Sequence, residues 1–442
     1  MSKILVLGAG PAAIVSALLL KLEGHEVEVI GRLRRLPILE GASPRVVEGF
    51  QRAGCREALQ VVGPRWQRGS AWSGQFSEAN GEHVVERSLL DAALLDDLER
   101  AEIGFLSSPV VSCEYRSGGW LVECGTSRDS FTRVEADFLV EARGRSAPKW
   151  STDLLSGPAS VALTRYFRSS AKGYRRTMAE SFAHGWAWST QDVSGMTSIQ
   201  LVVSAETLNM VAGRDLAMLH SSLLDCLRET PERLGGLEAV GEVSVRGVQP
   251  VLRDAIVDRH RIRVGDAAMS IDPLSGHGMY EAIASAFAAV PVINTMLRRS
   301  EDADLAQAYY RDRAHQVFQQ RCQAGREMYR AELRWPGNAF WQARQHWPEP
   351  RVEPQEAPSF SVQPVVEDSF IVPRRCLVTH DHPRGVRFIS GVDLAKLHDL
   401  LHTPLWGKGV IALAGELNVT PSRLAAAWHW LWQAQMAPQP KL

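Results

Sequence analysis

The stretch Lys3–Leu20, KILVLGAGPAAIVSALLL, limits what this chain can fold into more than any other. Its apolar run Ile4–Leu7 reads as a buried parallel strand, and an apolar helix starts at once after the turn. Between them Gly8, Gly10 and Ala13 fit the pattern G-x-G-x-x-G/A. Gly8 makes the tight turn, Gly10 lets the backbone approach a pyrophosphate, and Ala13 lets helix and strand pack closely. The helix N-terminus at Pro11 and Ala12 then offers free N–H groups and about half a positive charge to phosphates. The alternative is an ordinary strand-turn-helix corner. Set between strand and helix, the pattern leads us to expect dinucleotide binding.

A second strand follows at His25–Ile30, HEVEVI. In dinucleotide folds it ends in an acid that binds the adenosine ribose. Gly31 stands there instead, followed by Arg32, Arg34 and Arg35, which are expected either at adenine or phosphate or in a solvated basic turn. Ser43-Pro44-Arg45 opens an amphipathic helix, Val46–Ala53, with Ser43 as N-cap. Arg45 is expected to reach an anionic group on the cofactor or to face solvent. The segment His83–Leu98 reads as a short strand, Arg87, then a helix. Cys113–Phe138 has the pattern of a β-meander, and Asp137–Val140 leads into the turn Glu141-Ala142-Arg143-Gly144-Arg145-Ser146.

From Pro158 to Val251, strand-like stretches surround one helical pattern, Asp215–Leu227, as in a separate antiparallel sheet inserted into the nucleotide domain. The chain returns at Arg261–Val264 and enters Gly265-Asp266-Ala267-Ala268 and Ile271-Asp272-Pro273-Leu274-Ser275-Gly276-His277-Gly278. A long apolar helix, Met279–Leu297, and a charged one, Asp302–Tyr329, follow. The expected divisions are 1–157 and 256–334 for the nucleotide domain and 158–255 for the inserted sheet. Residues 335–385 are expected to be a Pro-rich linker or wrapping segment, and 386–442 a small, mainly helical end domain. In that last part Thr420 and Pro421 start a final helix well.

Formal net charge is −1, so no global field recruits nucleic acid or an acidic membrane. The six cysteines are scattered without a C-x-x-C pair, which fits reduced thiols better than disulfides or zinc. His380-Asp381-His382 precede Pro383 in a turn without further ligands nearby, so no metal is expected. The N-terminus enters a strand directly, and no uninterrupted apolar run is long enough to span a bilayer, so the expected location is the cytoplasm.

Gly265–Gly278 is the second diagnostic site. Asp266, in a strand-to-loop turn, can accept hydrogen bonds from a ribityl hydroxyl, which nicotinamide dinucleotides lack. Gly276 and Gly278 allow backbone N–H groups to close on a planar ring. The positive end of the following helix favours an anionic reduced isoalloxazine. The dinucleotide is therefore expected to be FAD.

Taken together, Gly8-x-Gly10-x-x-Ala13, Arg45, Arg87, the Glu141–Ser146 turn, Trp186-Ala187-Trp188, Gly265-Asp266, Pro273, Gly276 and Gly278 resemble the class A FAD-dependent monooxygenases. The likeness covers roughly residues 1–330 and is strongest to the branch that includes tryptophan halogenases. It implies an α/β fold like that of p-hydroxybenzoate hydroxylase, with a Rossmann-type FAD domain split around a substrate-binding β-sheet. It places Gly8, Gly10 and Ala13 on the pyrophosphate, Arg45 and Arg87 near it, Asp266 on the ribityl chain and Gly276–Gly278 beside the flavin. EARGRS replaces the more usual D-x-x-G-x-S, and Gly31 replaces the acid.

Halogenation is disfavoured, because no lysine occurs between Lys21 and Lys149 and Ser189-Thr190 replaces the Ile-Pro after the W-x-W motif. Hydroxylation remains, with NAD(P)H or another external reductant, O2 as co-substrate and a flavin C4a-hydroperoxide attacking an electron-rich ring. His277 is the best-placed titratable candidate and Asp272 the next, each with a plain structural alternative. Trp186 and Trp188 are expected to face one way, as core or as pocket wall.

Over the whole chain, the pattern resembles flavoproteins that hydroxylate a tryptophan within a protein on the way to cysteine tryptophylquinone. That likeness implies a wide pocket and a protein partner. The rivals are hydroxylation of a free small aromatic molecule and a flavin-bound scaffold. The end domain resembles a winged-helix-like fold, yet its last helix offers only Arg423 as a basic residue, so nucleic acid is not expected.

Overall fold

The computed structural model describes the chain except for residues 1, 34–37, 117, 127–130, 151, 171–174, 193, 210–214, 350–356, 441 and 442. Arg34 and Arg35 thus lie outside the described residues. Two compact units emerge, Met1–Ile293 with Ala314–Glu349 and Asn294–Arg313 with Pro350–Leu442.

In the first unit, Lys3–Leu7 lies in the middle of a six-stranded sheet, flanked by the parallel strands Glu26–Gly31 and Phe138–Glu141. Gly104–Ser107 and Arg261–Arg263 extend it in parallel on either side, and only the short edge Val257–Asp258 runs antiparallel. Ile4, Leu5, Val6 and Leu7 are fully buried, as both faces of a parallel sheet require. The helix Pro11–Leu22 starts with Pro at its first turn, where the missing N–H leaves no helical bond unmade. The meander Val110–Arg116, Gly119–Cys124 and Thr132–Ala136 packs Trp120, Val122 and Val134 onto Leu5, Leu7 and Leu139.

The second sheet of this unit has eight strands. Five come from the expected insertion: Ser160–Ser169, Arg176–Phe182, Gly185–Gln191, Met196–Ser204 and Leu237–Gly247. The other three, Leu39–Ala42, Arg65–Trp72 and Gln75–Glu86, come from the first nucleotide segment, so the sheet is not confined to residues 158–255. Arg65–Trp72 pairs with Arg176–Phe182 in parallel, and every other pair in the sheet is antiparallel. The sequence of these three strands is polar, and residues of each line a cavity. One face of the sheet is dry: Leu163, Phe182, Ala187, Ile199 and Leu201 pack with Leu223 and Leu234 from the helices Leu216–Leu224 and Glu229–Leu234. Glu180, buried, anchors the second of these helices by accepting hydrogen bonds from the backbone N–H of Arg228, Glu229 and Thr230.

Residues 335–385 are not a plain linker. They carry the helix Ala339–Gln345 and, in the second unit, the meander Ser359–Glu367, Phe370–Thr379 and His382–Val386. The prolines that suggested a linker are accommodated: Pro364 and Pro373 face each other across the first two strands, and the third strand pairs only at Leu377 and Thr379. Leu377 joins Val392, Leu397, Leu413, Leu424, Trp428 and Leu431 in one core. The three end helices are Leu394–Leu401, Gly409–Glu416 and Pro421–Gln433, with Asp393 and Thr420 capping the first and last.

Among the described residues one helix, Gly278–Arg298, is long and apolar enough to cross a membrane by length and composition, although Glu281 and Asn294 interrupt its apolar run. Of its most apolar window 72% is buried inside the protein, as in a core helix.

Candidate functional site

A cavity of about 1840 Å³ opens in the first unit where the two sheets meet. One end is built from backbone at the C-terminal ends of neighbouring parallel strands: Gly8–Ala12, Gly31–Arg32, Ala142–Ser146 and Val264 with Asp266. This is where open α/β sheets bind ligands, at the point where the chain changes direction across the sheet. The turn is crowded. Gly8 has φ +135°, and a Cβ there would lie 2.4 Å from the carbonyl oxygen of Ala142. A Cβ on Gly31 would lie 2.7 Å from the carbonyl carbon of Gly8 and 2.9 Å from the amide of Ala9. The absent ribose acid therefore has a steric cause, because in this backbone position 31 has no room for a side chain.

Arg87 is buried beside Gly10, donating 2.9 and 3.0 Å hydrogen bonds to Glu40 and Asp91. Burial alone would lower its pKa, but the two carboxylates outweigh it and hold the guanidinium charged. Arg32 is exposed at the rim of the cavity. Ala13 is fully buried behind the turn, as its packing role requires. Of the two places expected for Arg45, the structure has it facing solvent: it is exposed, sits 5.6 Å from the ring centre of Tyr280 and is not among the residues lining the cavity.

Gly265 has φ +59°, and a Cβ there would come within 2.9 Å of Ala12, so this glycine lets the second motif pack on the first helix. Asp266 lines the cavity and forms a half-exposed ion pair with Arg145, 3.4 Å away. The turn Glu141–Ser146 is held from within, since buried Glu141 accepts hydrogen bonds from the backbone and side chain of Arg143.

Pro273, Gly276, His277 and Gly278 line the middle of the cavity. His277 places Nδ1 against the carbonyl of Ser275, and burial with nearby Arg321 lowers its pKa. Asp272 does not line the cavity. It is buried, starts the turn by accepting from the Leu274 amide at 2.9 Å, and accepts the Tyr329 hydroxyl at 3.0 Å. Burial raises its pKa, partly offset by those two donors. The same Tyr329 oxygen accepts the indole N–H of Trp186 at 3.1 Å. Trp186, Tyr329 and Asp272 thus form a hydrogen-bonded chain from the substrate sheet to the glycine-rich loop. Tyr329 was not singled out from sequence; it sits in a charged helix and nothing local marks it.

At the far end the cavity is walled by Trp72, Trp186 and Trp188. The two indoles of the W-x-W motif share a face, while Ala187 packs into the opposite core. Trp186 is buried against Tyr329, Phe340 and Trp341, so it is both core and wall. Arg68 and Glu82, 3.6 Å apart, also line the cavity and were not picked out from sequence.

No family model matches the chain. A solved structure described as the peptidyl tryptophan dihydroxylase QhpG, essential for tryptophylquinone cofactor biogenesis, is 33% identical, with 98% of this chain and 99% of that one covered and a TM-score of 0.83. The chain belongs to the FAD-dependent monooxygenase and halogenase superfamily. This flavoprotein is also 25% identical to LodB of Marinomonas mediterranea, described as an FAD-dependent oxidoreductase, over 77% of its own length and 96% of LodB. The flavin-dependent halogenase CmlS, 19% identical with a TM-score of 0.78, shares the fold. The backbone-lined turn, the cramped glycines and the adjoining cavity fit FAD. The flavoprotein is accordingly an enzyme of the oxidoreductase class.

Proposed function

We propose that this enzyme is an FAD-dependent monooxygenase that hydroxylates the indole ring of a tryptophan residue within a protein, in the biogenesis of a tryptophylquinone cofactor. FAD, when bound, supplies the chemistry that activates O2, after reduction by NAD(P)H or another external reductant. The full-length likeness to a peptidyl tryptophan dihydroxylase carries this reading, together with a cavity that joins the nucleotide turn to a tryptophan-walled sheet face.

In this reading Gly8, Gly10, Pro11, Ala12 and Arg87 hold the pyrophosphate, and Arg32 lies at the adenosine end. Asp266 holds the ribityl chain, while Pro273 and Gly276–Gly278 hold the flavin ring. Asp272 keeps that loop in place through the Leu274 amide, and Tyr329 ties it to Trp186. The aromatic wall excludes water and orients an indole by ring packing. His277, held on the Ser275 carbonyl and with its pKa lowered by burial, is a positioning group of the loop and the nearest candidate to move a proton.

The partner in this reading is the precursor protein. In this reading the end helices, which share one core, have no role for nucleic acid, and the enzyme acts in the cytoplasm. Mass spectrometry of candidate precursor proteins after turnover tests the function. Added oxygen on a tryptophan is the expected result; oxygenation of free aromatic molecules alone would remove the peptidyl reading.

A further inference from the structure

The register of the eight-stranded sheet places seven cavity-lining residues in one line across seven strands. Ser244 stands opposite Thr164, Thr164 opposite Gln200, and Gln200 opposite Trp188. Trp188 stands opposite Ala179, Ala179 opposite Ser70, and Ser70 opposite Ser77. All seven line the same cavity. Six strand spacings of about 4.8 Å make this line about 29 Å long. The two terminal residues, Ser244 and Ser77, are exposed, and the five between them are half-buried. The line is therefore the floor of a trough open at both rims.

Its chemistry is unlike that of a small-molecule pocket. Trp188 is the single large side chain on the floor; the rest are small or polar. Among the described residues, the side-chain groups of Thr164, Gln200, Ser70 and Ser77 have no protein hydrogen-bond partner. Three half-buried unpaired side chains, with exposed Ser77 at the rim, offer donors and acceptors suited to the repeating amides of an extended chain. On one side the trough is bounded by Trp72 and Trp186, backed by Tyr329 and Trp341. On the other, Leu39 donates its amide to the Tyr166 hydroxyl and the Thr177 hydroxyl donates to Glu82, which ties Leu39–Ala42 to Ser160–Ser169 and Gln75–Glu86 to Arg176–Phe182. At the Ser244 rim, Arg246 is exposed, lines the cavity and has no ion pair among the described residues.

We infer that this trough is the track for the substrate polypeptide. An extended segment of about nine residues, at about 3.3 Å per residue, spans it from rim to rim. It lies across the strands, presents its aromatic side chain beside Trp188, and leaves over Ser244 with an acidic residue against Arg246. The inference rests on the peptidyl-substrate reading above and adds where and how the chain lies.

Fluorescence anisotropy with the FAD-loaded full chain tests it. The probes are labelled Gly/Ser peptides with one central tryptophan and one aspartate near one end, three to eleven residues long. Affinity is expected to rise at least tenfold from three residues to nine and then level off. Thr164→Trp, which plugs the floor, and Ser244→Trp, at an exposed rim position that folding tolerates, should each weaken the nine-residue peptide at least tenfold with flavin content unchanged. Arg246→Glu should weaken the aspartate peptide and not its aspartate-free counterpart. Affinity independent of length, or plug variants within threefold of wild type, would overturn the track. Oxygenation of a precursor protein in that case would leave the proposed function standing. Length-dependent, plug-sensitive binding without any oxygenation of peptidyl tryptophan would keep the track and sink the proposed function instead.

Discussion

The two ends of the cavity are built by different means. The nucleotide end is made of backbone: glycines at 8, 31 and 265, set so tightly that a Cβ on any of them would collide. The substrate end is made of side chains on strands distant in sequence, brought into line by register. The first kind of site tolerates almost no change at its key positions and looks alike across many chemistries. The second can be rewritten residue by residue.

The largest effect that sharpens this contrast comes from restoring the acid at position 31. Gly31→Asp should drive the new side chain into the Gly8–Ala9 backbone, and FAD retention through gel filtration should fall more than tenfold. Full retention of the yellow colour would mean the turn is looser than its packing indicates. Next comes Arg87→Ala, which leaves Asp91 buried without its cation; unfolding in urea should show a loss of about 3 kcal/mol. A loss under about 1 kcal/mol would make Arg87 a surface-like contact.

Substrate-end changes should be milder. Tyr329→Phe removes the hydroxyl between Trp186 and Asp272, leaving one indole N–H and one carboxylate short of a partner. Stability should drop by about 2 kcal/mol while flavin stays bound. The double variant with Asp272→Asn should lose less than the sum of the two single changes, and strict additivity would break the proposed chain.

The smallest effect is a pH slope. Burial raises the Asp272 pKa above its ordinary 3.8, so the folded state binds this proton more tightly than the unfolded state. Its stabilising contribution is full below 3.8 and is lost as pH rises through the raised folded value. Thermal melts over that window should show wild type gaining on Asp272→Asn upon acidification, and a constant difference would contradict the shift.

How much of this was legible in the sequence follows the same division. The turn at Gly8–Ala13 and the loop at Gly265–Gly278 are local, and each residue's role can be read from its neighbours. The sheet face cannot be read so. Arg65–Glu86 is polar because one of its faces borders the cavity, and polar alternation looks like loop until a partner strand is known. Tyr329 is silent for a related reason: its partners lie at Asp272 and Trp186, in separate elements. Pro364 and Pro373 misled because proline reads as a break unless its cross-strand partner is also known. Gly31 was visible as a departure, but its cause is the backbone of Gly8 and Ala9, which pattern alone does not supply.

In the proposed function, this cavity delivers an atom of O2 to a tryptophan held in another polypeptide. Single turnover of the FAD-loaded enzyme with a precursor protein under isotopically labelled O2, followed by site-mapped mass spectrometry, tests it most directly. Labelled oxygen on one tryptophan of the precursor is the expected result. Label confined to free aromatic molecules, or oxygen on the tryptophan that derives from water, would contradict it.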